Sequence, residues 1–224
     1  METTVEAVVE SLKARANPDN VAGMAHFGSR PAQALGLSMP EVRRIARELG
    51  RDHALALGLW ATGLHEGRIL ASMVADPRQV TPELMDNWVN DFDSWDVCDQ
   101  VCGNLFDKTP YAYDKAVEWC HREGEYVRRA GFVMMAELAV HDKKAPDEKF
   151  YSFFPLMKEY SWDERNFVKK AVNWALRQVG KRNATLRPLA IQWAEEIRDT
   201  NTKAGRWIAA DALRELNSEV KSRL

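Results

Sequence analysis

The sequence predicts an all-α fold. Apolar residues recur at intervals of three and four from residue 3 to residue 220, and no segment shows the strict alternation of a half-buried strand. The connections between the predicted helices are short, which favours antiparallel helical hairpins. Several helix starts combine a capping residue with an early proline or acid: Ser38-Met39-Pro40-Glu41, Thr81-Pro82-Glu83, Thr109-Pro110 and Ser161-Trp162-Asp163-Glu164.

The helical segments have similar lengths, and they follow one another in pairs. They cover residues 3–15, 18–27, 39–49, 52–63, 65–75, 81–91, 94–106, 111–122, 125–141, 146–159, 163–180, 185–198 and 203–216. Paired helices without a strong consensus favour a HEAT-type repeat over a closed bundle. Because no Gly/Ser-rich linker divides the chain, we predict one domain over residues 1–224. We expect a HEAT-like α-solenoid of about 12–13 helices with a concave basic groove.

Composition excludes several classes of protein. The 224 residues include 31 basic and 33 acidic ones, so only a local basic patch could bind a polyanion. The longest apolar run, Ala54–Leu64, is about half the length that spans a bilayer, and the acidic start predicts no signal peptide. Three cysteines leave one unpaired in any disulfide scheme. We therefore expect a cytoplasmic protein that binds no membrane and, in a prokaryote, associates with the nucleoid.

No motif indicates a metal or a cofactor. Cys98 and Cys102 lie four residues apart, unlike a Cys-x-x-Cys pair, and are predicted to be buried as small hydrophobes. The histidines are scattered, and neither Gly-x-x-x-x-Gly-Lys nor Gly-x-Gly-x-x-Gly occurs. The sequence predicts no metal site and no cofactor.

The segment 94–106 pairs an indole with a carboxylate. Trp95 and Asp99 are four residues apart, so on a helix they share a face. A separate apolar face is formed by Val97, Cys98, Val101 and Leu105. Since a carboxylate beside an aromatic plane can stabilise a cation, the first face is a candidate catalytic site.

A second helix, 163–180, has a basic face beside its apolar one. Its predicted buried residues are Val168, Ala171, Val172, Ala175 and Val179, and on another side follow Lys170, Trp174, Arg177 and Lys181. Seven basic residues and no acid lie between Arg165 and Arg187, which favours phosphate binding. A solvated face whose tryptophan packs on the neighbouring repeat would give the same pattern, and both interpretations stay open.

Arg129 occupies the start of an apolar stripe in the segment 125–141. An arginine buried there needs an anionic partner. This partner is either a structural carboxylate, such as Glu137 or Asp99, or a bound phosphate.

Taken together, three blocks resemble the AlkD-like DNA alkylation repair family. They are Ser94-Trp95-Asp96-Val97-Cys98-Asp99, Val127-Arg128-Arg129-Ala130 and Lys169-Lys170-Ala171-Val172-Asn173-Trp174-Ala175-Leu176-Arg177. Their order and approximate spacing also match, and the similarity extends from about residue 20 to about residue 215.

The resemblance implies a HEAT-like solenoid that binds duplex DNA and hydrolyses the N-glycosidic bond of cationic N3- and N7-alkylpurines, without a deep base-flipping pocket. In that family's pattern Asp99 matches the catalytic carboxylate, and Trp95 and Trp174 match the indoles that contact the deoxyribose. The matching DNA-backbone residues are Arg129 and Arg177, and we add Arg128, Lys170 and Lys181 as DNA-binding candidates. A monomer without a protein partner would suffice.

One predicted contact departs from the family pattern, because Phe27 occupies the position that we align with a family tyrosine and lacks its hydroxyl. Phe27 remains a DNA-binding candidate. The alternative function is a HEAT-type module that binds DNA or protein without catalysis. Asp99 favours the enzyme, since a carboxylate that faces a polyanion would weaken simple binding.

Overall fold

The computed structural model describes residues 4–26, 28–29 and 33–221, with side chains described as far as residue 218. These residues form fourteen α-helices, two short 3-10 helices and no strand, which confirms the predicted all-α class. The helices are α1 (Val5–Lys13), α2 (Pro18–His26), α3 (Met39–Leu49), α4 (His53–Ala61), α5 (His65–Val74), α6 (Pro82–Asn90), α7 (Trp95–Asn104), α8 (Ala112–Cys120), α9 (Glu125–His141), α10 (Glu148–Tyr151), α11 (Phe153–Glu159), α12 (Asn166–Lys181), α13 (Leu186–Asp199) and α14 (Lys203–Lys221).

One predicted helix is divided in two. The segment 146–159 forms α10 and α11, with Ser152 between them. Pro155 has no N–H to donate to the carbonyl of Tyr151, and its ring would collide with that carbonyl in a continuous helix. In α11 the same proline falls in the first turn, where its missing donor costs little.

Two of the four predicted helix starts are confirmed, and the other two helices begin later in the sequence than their predicted capping residues. The Glu41 carboxylate accepts from the backbone N–H and the hydroxyl of Ser38, at 3.2 and 2.9 Å, and the hydroxyl of Thr81 caps α6. In contrast, α8 begins at Ala112, after Thr109, and α12 begins at Asn166, after Arg165. Asp163, which belongs to the predicted capping segment of α12, forms ion pairs with Arg128 and Arg165 instead.

The chain divides into two compact units, Met1–Thr109 and Pro110–Leu224. Within the first unit, α5 packs against α3, α4 and α7. The indoles of Trp60 and Trp88 stack there with ring centroids 3.9 Å apart, and Trp60 donates its N–H to Asp91. This large aromatic contact anchors the core of the unit.

In the second unit, α9 is the central helix and packs against α8 and α12. It approaches α8 closely at Gly131, where an added Cβ would lie 2.7 Å from the backbone nitrogen of Cys120. Cys98 and Cys102 are buried, as predicted, and Cys120 is buried as well. Helices α13 and α14 complete the unit by packing on α12.

The prediction that residues 1–224 form a single domain stays a prediction.

Among the described helices, none combines the length and the hydropathy that crossing a membrane requires.

Candidate functional site

Helix α7 has the two faces that the sequence predicts. Val97, Cys98 and Val101 are fully buried, whereas Trp95 and Asp99 are only half-buried. One face therefore belongs to the core, and the indole and carboxylate remain partly accessible one turn apart.

Asp96, between these two residues, belongs to an internal network of the first unit. Its carboxylate accepts from the hydroxyl of Ser29 at 2.9 Å and lies 3.1 Å from Nε2 of His65. Burial disfavours the charged forms of Asp96 and His65, but the contact between the two side chains favours these charged forms more strongly. The pKa of Asp96 is therefore lowered and the pKa of His65 is raised.

Glu66, the next residue of α5, fixes the loop that precedes α3. Its buried carboxylate accepts from the backbone N–H groups of Leu35, Gly36 and Leu37 at distances between 2.6 and 3.2 Å. Gly36 has φ +80°, and a Cβ at this position would lie 2.2 Å from the carbonyl oxygen of Asn17. Only glycine fits this turn, and three backbone donors satisfy the buried carboxylate.

Both arginines of α9 are buried and engaged within the second unit. The guanidinium of Arg128 donates to the Cys120 carbonyl at 3.0 Å and to Asp163 at 2.9 Å. Arg129, 5% exposed, donates to the carbonyl oxygen of Phe167 at 2.6 Å. Asp163 is thus a structural counter-ion of Arg128 that the sequence reasoning did not identify.

The predicted faces of α12 are present in the structure. The predicted apolar stripe is fully buried: Val168, Ala171, Val172, Ala175 and Val179. Trp174, Arg177 and Lys181 are half-buried, and Lys170 is exposed. As on α7, an indole lies on the accessible side of a helix whose opposite side is core.

Carboxylates of α14 compensate part of this basic face. Glu215 pairs with Arg177 and, at 2.5 Å, with Lys181, and Asp211 lies 3.7 Å from Arg177. Burial alone would raise the pKa of Glu215, but the two cations hold it below its usual value. The local charge of α12 is therefore lower than its sequence suggests.

The candidate residues are distributed over both compact units. Trp95 and Asp99 belong to the first, and the second contains Arg128, Arg129, Lys170, Trp174, Arg177 and Lys181. The predicted contact at Phe27 lies outside the described residues.

Two tryptophans of the second unit are exposed. Trp162 is 54% exposed and Trp207 is 41% exposed. The ammonium of Lys169 lies 5.3 Å from the ring centroid of Trp207.

Comparisons with known proteins agree with this architecture. The profile of a family described as "DNA alkylation repair enzyme" matches residues 8–216. A solved structure described as "A new family of proteins related to the HEAT-like repeat DNA glycosylases with affinity for branched DNA structures" superimposes with a TM-score of 0.78 at 21% identity, covering 95% of each chain. No curated protein matches the sequence.

The structural likeness confirms the predicted HEAT-like all-α fold. Because the family profile covers nearly the whole sequence, the chain belongs to the DNA alkylation repair enzyme family.

Proposed function

We propose that this protein is a monofunctional DNA glycosylase that hydrolyses the N-glycosidic bond of cationic N3- or N7-alkylpurines in duplex DNA. The observation that carries the proposal is the face of α7, where the half-buried Trp95 and Asp99 lie one turn apart, opposite the core. Membership of the DNA alkylation repair family supports the same chemistry.

The proposed reaction needs a stabilised cation and a water molecule. Alkylation makes the purine positively charged, so the bond from C1′ to the base nitrogen breaks with its electron pair leaving on the base, which becomes neutral. The sugar passes through an oxocarbenium-like state, and a water oxygen then bonds to C1′ and gives up a proton. Asp99 supplies a negative charge beside this developing cation. Trp95 supplies an electron-rich aromatic face, and the family pattern implies the same role for Trp174.

The proposed DNA contacts come from the basic residues of the second unit. Lys170 is exposed, whereas Arg177 and Lys181 must exchange their pairing with Glu215 for a phosphate, or share it. Arg129 is proposed as a DNA-backbone contact from the family pattern alone, since in the structure it is 5% exposed and donates to the carbonyl oxygen of Phe167. The guanidinium of Arg128 donates to Asp163, and we do not include Arg128 among the proposed DNA contacts.

The direct test is an excision assay. Duplex DNA with a single 7-methylguanine is incubated with the full chain, and free base is quantified by chromatography. We expect release of 7-methylguanine and an abasic site without strand cleavage. Stable duplex binding without release would contradict the enzymatic proposal. Sedimentation of the complex checks whether one chain per lesion suffices, as we propose.

A second candidate function is recognition of branched DNA without excision. The solved structure similar to this chain is described as having affinity for branched DNA structures. The exposed indoles of Trp162 and Trp207 favour this candidate, since unpaired bases at a junction can stack on an aromatic side chain. Preference for a four-way junction over a linear duplex, reduced in Trp207→Ala, would support it. Equal affinity for both DNAs would argue against it.

A further inference from the structure

We infer that a cavity in the first unit binds a free purine base, held by His65 and Trp95. The cavity has a volume of about 250 Å³ and lies among residues of α2, α3, α5 and α7. Since a water molecule occupies about 30 Å³ of liquid volume, the space exceeds a packing defect. It is also smaller than a pocket for a drug-sized ligand, about 300–1,000 Å³. A single planar heterocycle matches this size.

Most of the cavity wall is apolar. Its apolar lining consists of Met24, Leu37, Met39, Val42 and Ile69. Methionine sulfur makes favourable contacts with aromatic rings, and its flexible side chain adapts to a flat ligand. Such a wall suits the faces of a heteroaromatic ring, and the polar part of the lining consists of His65, Glu66, Asp96 and Gln100.

Two buried polar atoms at this cavity have no hydrogen-bond partner among the described residues. They are Nδ1 of His65 and Nε1 of Trp95, and both residues line the cavity. His65 is only 4% exposed, so bulk water does not satisfy it. An unsatisfied buried polar atom is unfavourable, and a ligand with matching groups would remove this penalty.

The hydrogen-bonding role of Nδ1 depends on the protonation of Nε2, the other nitrogen of the imidazole. Nε2 of His65 lies 3.1 Å from the Asp96 carboxylate, so Nε2 carries a proton. Nδ1 is then an acceptor in the neutral imidazole and a donor in the imidazolium, which the raised pKa of His65 favours, while Nε1 of Trp95 is a donor in either case. The two unsatisfied atoms thus present one fixed donor and one group whose role depends on pH. The edges of a purine present both N–H donors and ring-nitrogen acceptors.

Charge selects against anionic ligands. The carboxylates of Glu66 and Asp96 both line the cavity, and Asp93 adds a third negative charge near His65. A phosphate or a carboxylate would be repelled. A neutral base would not, and the three backbone N–H groups that bind Glu66 keep that carboxylate from competing for the ligand.

This inference rests on the proposed function for the source of the base. Trp95 lines the cavity, whereas Asp99 does not, so the cavity shares only the indole of the proposed catalytic pair. The base would enter it after bond cleavage, as the product of excision. Extrusion of the intact nucleotide from the duplex is then unnecessary.

The test measures binding of a free base without DNA. Calorimetric titration of the full chain with 3-methyladenine and with 7-methylguanine should show saturable binding at one site. Deoxyribose 5-phosphate, which has no base, should not bind. The nitrogen resonances of the His65 imidazole should shift on addition of the base, with the larger shift at Nδ1.

Three variants localise the site. His65→Gln keeps an N–H that can reach Asp96 but removes Nδ1, and we expect affinity to fall about tenfold, the effect of losing about 1.4 kcal/mol. Met39→Trp fills the cavity and should abolish binding. The matched control, Met39→Leu, keeps the apolar wall and should leave affinity within about twofold. Circular dichroism checks the fold of each, and Met39→Trp decides the question if His65→Gln does not fold.

The outcomes separate this inference from the proposed function. Excision of 7-methylguanine without measurable binding of either free base would overturn the inference and leave the glycosylase proposal intact. Binding without excision would support the cavity site and contradict the glycosylase. Binding that survives both Met39→Trp and His65→Gln would place the base elsewhere and overturn the inference.

Discussion

His65 and Asp96 form a buried contact, with 3.1 Å between Nε2 and the nearer carboxylate oxygen. Ser29 donates to the other oxygen of the same carboxylate at 2.9 Å. The contact therefore joins α5 to α7 and to the segment that follows α2. It fixes Asp96 and, through α7, the orientation of the neighbouring Trp95 and of Asp99.

This contact makes stability depend on pH. Burial disfavours the charged imidazole, but the hydrogen bond to Asp96 and the charges of Asp96, Glu66 and Asp93 raise the pKa of His65 above 6.5. Since the folded state holds the proton more tightly than the unfolded one, this stabilisation is complete below pH 6.5 and is lost as pH rises through the folded pKa.

We therefore expect Asp96→Asn to lower the free energy of unfolding by about 1–3 kcal/mol below pH 6.5, and by less at higher pH. Urea titrations at several pH values measure the difference, with the exposed Asp114→Asn as control. A loss that grows as pH rises would contradict the assignment.

The sequence predicts the helical fold well because the signal is local and repeated. The apolar stripe of α12 and the two faces of α7 follow from the helical period alone. What the sequence did not reveal depends on contacts between distant segments. The basic run from Arg165 to Arg187 contains no acid, yet Glu215 of α14 neutralises part of it.

In the candidate site too, contacts between distant segments could not be predicted from the sequence. Trp95 and Asp99 could be paired from their spacing, because one helical turn relates them. His65 and Asp96 are 31 residues apart and could not be paired from the sequence. Glu66 was missed for the same reason, although a glutamate in a largely apolar helix is a signal that a buried polar partner exists.

A second prediction concerns the buried carboxylate of Asp163, which pairs with Arg128 and Arg165. Burial would raise its pKa, but the bonds from both arginines lower it below 3.8. Its stabilisation is present above pH 3.8 and lost as pH falls through the lower folded value. Asp163→Ala should cost about 3–5 kcal/mol at neutral pH, whereas the exposed Glu164→Ala should change stability by less than about 0.5 kcal/mol. Thermal unfolding of both variants checks this, and similar losses would contradict it.

A third prediction uses the close approach of α8 and α9. Gly131→Ala places a Cβ 2.7 Å from both the nitrogen and the sulfur of Cys120. Because backbone cannot move aside cheaply, we expect a loss of about 1–3 kcal/mol. Gly23→Ala in α2 is the matched control, since a Cβ there meets nothing within 4 Å. It should stabilise the helix by up to about 1 kcal/mol. Equal denaturant midpoints for the two variants would exclude tight packing at Gly131.

A fourth prediction tests the DNA-binding face of α12. Lys170 is exposed on the same helix as Trp174. If it contacts one phosphate, Lys170→Ala should weaken binding and reduce the slope of log affinity against log salt by about 0.9. Lys144, exposed in the loop between α9 and α10, is the control. An unchanged slope in Lys170→Ala, or an equal change in Lys144→Ala, would remove Lys170 from the interface.

The fifth prediction addresses the chemistry of Asp99. Asp99→Asn keeps the shape of the side chain and removes its charge, so DNA binding should persist or strengthen while excision slows. We expect single-turnover release of 7-methylguanine to fall by about 10²- to 10⁴-fold. Asp114→Asn, which removes an exposed carboxylate from α8, should release base at the wild-type rate. Because binding and excision are measured on the same duplex, the two functions can be separated. An Asp99→Asn protein that binds and excises as the wild type does would show that another group stabilises the sugar cation.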